Sequence, residues 1–127
     1  RRLVPDERIA VTRAELTEAI DAAATAVGAR IQIDTLLAIE PCVTAIEEPL
    51  AQAFAETVRS VRRRAPGFRV TTGFTDLHYF VDDGGLPGIG YGVAGERAHG
   101  ADERVSIRDL ILTAKTYADF LRRGIDV

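Results

Sequence analysis

Apolar positions along this chain alternate between helical and strand-like periods. Leu16, Ala19, Ile20, Ala23 and Val27 recur at helical spacing and define one stripe. Thr12 followed by Glu15 has the form of a capping box and predicts the start of that helix, and Gly28 predicts its end. In IQIDTLLAI, residues 31–39, the positions Ile31, Ile33, Leu37 and Ile39 recur at period two, which predicts a strand. With a strand tail over residues 1–4, residues 1–39 read as strand, helix, strand. The next stretch, EPCVTAIEEP, residues 40–49, carries two prolines and little periodicity, and reads as a connection.

Pro49 suits the first turn of a second helix, with Leu50, Ala53, Phe54, Val58 and Val61 as its apolar stripe. Arg62, Arg63 and Arg64 follow, where positive charge suits a helix C-terminus, and Pro66 with Gly67 stops it. FRVTT, residues 68–72, predicts a short strand, GFTD a turn, and residues 77–81 a brief helix. Seven of the eleven glycines lie between positions 84 and 100, and a short strand over 87–91 fits inside that run. Ser106 and Asp109 form a second capping pattern, with Val105 placed to pack on Leu110. Leu110, Ala114, Tyr117, Ala118 and Leu121 then share one face of a last helix.

Composition narrows the class. The chain has 127 residues, 46% apolar and 28% charged, enough for one domain with a core or for pieces of two. A net charge of −3 argues against a nucleic-acid partner. Cys42 is the single cysteine, so no internal disulfide forms, and a reducing, cytoplasmic location is the simpler expectation. No apolar run reaches the ~18 residues of a membrane span. The chain has no Met and opens on Arg1 and Arg2, which predicts a part of a longer protein.

Residues able to carry chemistry are few. A zinc site takes three or four converging ligands, yet the chain holds His78, His99 and Cys42 without local ligand spacing. By pattern alone His99 reads as a solvated loop residue. Gly90, Gly92 and Gly95 match a dinucleotide fingerprint, but the following helix opens only at Ser106, too late for its N-terminus to meet a pyrophosphate. The glycines predict instead a sharply bent backbone or a close approach. TTGFTD, residues 71–76, predicts a strand running into a tight turn, where amides at a helix start donate to an anionic group. The competing reading is that Thr75 or Asp76 simply caps the helix.

Three segments in order resemble the C-terminal part of the M20 zinc peptidases, the group of acetylornithine deacetylase, succinyl-diaminopimelate desuccinylase and glutamate carboxypeptidase. GFTDLHYF is similar to the family's Gly-Gly-Thr-Asp-x-Arg-Phe segment. GLPGIGYGVAG is similar to its Gly-Ile-Pro-x-Val-x-x-Gly-Pro-Gly strand and loop, and AHGADERVSIRDL to its Ala-His ending. The start of the chain resembles the second half of the family's inserted lid. The resemblance implies an α/β fold. Residues 1–40 would be the second half of a ferredoxin-like lid, or dimerisation, domain, and residues 46–127 the C-terminal part of the catalytic α/β domain.

It implies further that His99 is a metal ligand and that Gly73, Thr75, Asp76 and His78 bind substrate. The metal would be one or two zinc ions, with cobalt or manganese as substitutes. The general base and the other ligands would lie upstream, so no catalytic residue is expected within this chain. The implied reaction is hydrolysis of an amide in an N-acyl amino acid or short peptide by metal-activated water. The implied partners are that substrate, the N-terminal half of the protein and a second copy bound through the lid. The alternative is a catalytically inactive relative that binds a small ligand or partner. Phe74 replaces the second glycine of Gly-Gly-Thr-Asp, His78 replaces the common Arg, and Gly92 to Gly95 reads Gly-Val-Ala-Gly for Gly-Pro-Gly.

Overall fold

The computed structural model describes residues 1–124, so the last three residues of the second expected unit lie outside it. Helix α1 spans Ile9–Val27, α2 spans Pro49–Arg62 and α3 spans Ile107–Arg123. A two-residue pair, β1 (Gly95–Glu96) and β2 (Arg104–Val105), runs antiparallel with Gly95 opposite Val105 and Glu96 opposite Arg104.

The core lies where α2 packs on α3. Phe54, Val58 and Phe120 are buried there, with Leu50, Ala53, Ile89 and Tyr91 against them. Phe54 meets Phe120 edge-on at 4.9 Å and Tyr91 at 5.0 Å between ring centroids, a geometry that adds about 0.5–1.5 kcal/mol per pair beyond area burial. Tyr117 reaches across to donate its hydroxyl to the Tyr91 carbonyl at 2.6 Å. The glycine-rich segment is thereby tied to both helices through one residue.

Helix α2 starts on Pro49 as its sequence predicts. It ends at Arg63, whose φ of 55° closes it in the left-handed region. The cap of α3 also forms, Ser106 Oγ accepting from the Asp109 amide at 3.4 Å. The buried face of α3 differs from the expected stripe. Thr113, Thr116 and Phe120 are buried, whereas Leu110, Tyr117 and Leu121 are exposed. The threonines fit because the Thr116 hydroxyl bonds back to the Leu112 carbonyl, so its methyl can pack without an orphaned donor.

Three expectations are corrected. Helix α1 begins at Ile9, and Thr12 lies buried inside its first turn. The Ile9 amide is met by the Glu40 carboxylate at 3.2 Å, a cap supplied from 31 residues away that displaces the local one. Segments 31–39, 68–72 and 87–91 run without strand pairing, because no neighbouring strand among the described residues satisfies their backbone groups. The brief helix near residue 77 is present but wide. Tyr79–Asp83 forms one broad turn, closed by the Gly84 amide on the Tyr79 carbonyl at 2.9 Å.

Candidate functional site

A cleft of about 560 Å³ opens between the start of α1, the connection around residues 37–42 and the segment 70–78. Its walls carry the apolar side chains of Ile9, Leu37 and Phe74, threonine hydroxyls, and the arginines at positions 1, 2 and 13. Gly73, Thr75 and His78 line it, as does Cys42, while Asp76 and His99 do not. The structure thus brings together three of the five candidate site residues.

The segment is shaped by its own side chains. Thr71 Oγ1 accepts from the Gly73 amide at 3.2 Å, and Thr75 Oγ1 accepts from the Leu77 amide at 3.4 Å. Thr75 thus caps the turn that starts the helix, as one of the two readings of TTGFTD anticipates. His78 follows at the turn's inner face and is only 8% exposed. Its ring lies 3.9 Å from the Tyr79 ring and 5.2 Å from that of Phe74, centroid to centroid. Its Nδ1 sits 2.9 Å from the Thr75 carbonyl.

His99 occupies the loop between β1 and β2. Its φ is 63°, and Arg97 and Asp102 beside it are also left-handed, which bends this seven-residue connection sharply. The ion pairs Arg104–Glu96 at 2.6 Å and Arg97–Asp102 at 3.3 Å brace its two arms. The His99 amide donates to Glu103 at 3.4 Å, and the side chain is solvent-exposed. Among the described residues no three His, Cys, Asp or Glu side chains converge to hold a metal. The hairpin loop supplies one imidazole where a zinc site takes three or four ligands, so the described residues do not by themselves fit the metal.

One polar node holds that loop to the core. Arg62 pairs with Asp109 and donates to the Tyr91 hydroxyl at 2.5 Å and to Thr113 Oγ1 at 2.8 Å. The other Asp109 oxygen accepts the Ala94 amide at 3.0 Å, one residue before β1. Hydrogen bonding from Arg62, then from the Ala94 amide, holds the Asp109 carboxyl below the usual carboxylate range. The same pair raises the Arg62 guanidinium. The reading of Arg62 as a mere helix-end charge misses this role, which depends on a partner 47 residues away.

Of the fingerprint glycines, a Cβ on Gly90 or Gly92 would meet nothing within 4 Å, and one on Gly95 would make ordinary contacts with Arg104 and Val105 at 3.5 Å. Close approaches occur at Gly84, where a Cβ would fall 2.7 Å from the Phe80 carbonyl oxygen, and at Gly88, where it would fall 2.7 Å from Leu77 and 2.9 Å from Val81 and whose amide donates to Thr44 Oγ1 at 2.9 Å.

A small helical core, a braced His-bearing hairpin loop and a threonine-lined cleft make up a unit of helices with one short strand pair. The family model described as peptidase family M20/M25/M40 matches residues 4–123, and the chain belongs to that family. Succinyl-diaminopimelate desuccinylase of Helicobacter pylori (strain HPAG1) is 30% identical over 81 residues, 64% of this chain and 21% of that enzyme. The matched region thus spans about a fifth of the length of that curated relative. No solved structure matches the chain.

Proposed function

We propose that the chain forms part of an amidohydrolase that cleaves the amide of an N-acyl amino acid or short peptide, desuccinylation being one such reaction. The family match over residues 4–123 is the observation that carries this reading. In it, His99 contributes one ligand to a divalent metal, zinc in the first place and cobalt or manganese as substitutes. The remaining ligands and the general base come from outside these residues. Gly73, Thr75, Asp76 and His78 contact the substrate. Residues 1–40 belong to a lid that also pairs two copies, residues 46–127 belong to the catalytic domain, and the protein works in the cytoplasm.

The hairpin geometry supports the role given to His99. A left-handed backbone in a loop braced by two ion pairs presents an exposed imidazole with no side-chain partner among the described residues. Replacing His99 by Ala in the full-length protein is expected to lower kcat/KM for N-acyl amino acids at least a hundredfold and to reduce bound zinc, measured by elemental analysis. The isolated 127-residue chain is expected to bind zinc weakly in calorimetric titration. Wild-type turnover and metal content in His99→Ala would remove His99 from the site.

A further inference from the structure

The hairpin that carries His99 is placed by very few contacts. Residues 95–105 are all exposed, so packing among the described residues does not locate them. Their hydrogen bonds and ion pairs, among the described residues, run within the hairpin itself. Arg97 meets Asp102, the His99 amide meets Glu103, Arg104 meets Glu96, and the Gly100 amide meets the Arg97 carbonyl. The ladder pairs only two residues on each strand, and an isolated strand pair is marginal in water. These contacts give the loop a shape. They do not fix where that shape stands against α2 and α3.

Both ends of the hairpin meet instead on Asp109. At the entry, the Ala94 amide donates to Asp109 Oδ2 at 3.0 Å. At the exit, the Asp109 amide donates to Ser106 Oγ at 3.4 Å. Ala94 directly precedes β1, and Ser106 directly follows β2. The two oxygens of the carboxylate have different partners. Oδ1 pairs with Arg62, which also donates to the Tyr91 hydroxyl and to Thr113 Oγ1, while Oδ2 takes the hairpin. A carboxylate accepts on both oxygens, whereas an amide offers one oxygen and a donating nitrogen. Facing two donors, Arg62 and the Ala94 amide, an amide in this place satisfies one of them.

We propose that Asp109 is a positioning residue: its carboxylate, anchored on Arg62, sets where the loop of residues 97–103 presents His99. It acts through the backbone at Ala94 and not by touching the substrate. The proposal rests on the role given above to His99. A reacting group displaced by about 1 Å loses about a hundredfold in rate. Substrate contacts made elsewhere are unaffected, so the loss falls on kcat rather than on KM.

The test uses the full-length protein and three variants, each assayed where it is fully folded. Asp109→Asn removes one of the two acceptors. Ala94→Pro removes the donating amide and leaves the Arg62–Asp109 pair in place. Phe120→Leu loosens the α2–α3 core at a ring that packs on Phe54, and serves as the control for lost stability. In ¹H–¹⁵N spectra, Asp109→Asn and Ala94→Pro should both move the His99 ring resonances, and Phe120→Leu should not. With N-acetyl and N-succinyl amino acids as substrates, Asp109→Asn should lower kcat about tenfold to a hundredfold with KM within about threefold. Phe120→Leu should leave both near wild type. His99 resonances unmoved in either folded variant overturn the proposal, whether or not the protein hydrolyses the panel. So does an unchanged kcat in Asp109→Asn, or a kcat that falls as far in Phe120→Leu. If Asp109→Asn does not fold, Ala94→Pro decides by the same two readouts. Absence of hydrolysis by the wild-type protein overturns the amidohydrolase reading instead, and the His99 resonances then decide the positioning role alone.

Discussion

Arg62 illustrates how one side chain joins separate parts of this molecule. It leaves the last turn of α2, lies 5.6 Å from the Tyr91 ring centroid, and ends among Asp109 and Thr113 of α3. Replacing it with Met strands Asp109 without its cation while keeping most of the stem volume. In the full-length protein Arg62→Met should unfold at a lower temperature and a lower urea concentration than wild type, because three hydrogen-bond partners lose their donor together. Thermal or urea unfolding measures it. The pH dependence carries a sign. Because the folded Asp109 carboxyl is held below its ordinary value of about 3.9, it contributes stability above that pH, and the contribution is lost as pH falls through the lower folded value. Asp109→Asn should be less stable than wild type at neutral pH, and the gap should narrow as the solution is taken toward pH 2. A gap that stays constant over that range would show that the carboxylate charge is not what matters.

At the scale of elements, local chemistry was readable where it stayed local. The α3 start is an example: Ser106 and Asp109 are three apart, and their cap forms without help from elsewhere. Ser106→Ala in the full-length protein should therefore cost about 1 kcal/mol, read as a shift of the unfolding midpoint. The start of α2 at Pro49 was legible for the same reason, since its fixed φ and missing amide suit a first turn in any surroundings. The start of α1 was not. Thr12 and Glu15 had the right spacing, but Glu40 caps the helix one turn earlier, and no local pattern announces a partner 31 residues on. The period-two run over residues 31–39 was misleading in another way. Alternation predicts which side chains would share a face, whereas a strand also needs a neighbour for its amides and carbonyls. For the candidate site, motif order singled out residues 73–78 and His99. The cleft's other wall, made by Thr12, Glu40 and Cys42, was invisible because it arises only when the connection folds back on α1.

At the scale of the whole molecule, surface area decides how the chain exists. A compact monomer of 13.8 kDa exposes about 6,600 Å² by the usual scaling. This chain exposes 10153 Å². The excess is apolar in large part: Leu36 is 97% exposed, Leu121 76% and Ile107 75%, and Ile31, Ile33, Phe68 and Val70 lie open along unpaired extended segments. Among the described residues the buried hydrophobic side chains are Ala24, Ala51, Phe54, Val58 and Phe120. Burying apolar area stabilises by about 25 cal/mol per Å², so a core this small opposes chain entropy weakly, while the open segments favour any surface that would cover them. The 127-residue chain produced alone should therefore bind the dye ANS strongly, melt over a broad range without a sharp heat-capacity peak, and self-associate as its concentration rises. The full-length protein should show a sharp transition and little dye binding under the same conditions. A cooperative, dye-free, monomeric 127-residue chain would mean that the segments 31–39 and 68–72 find their strand partners within it.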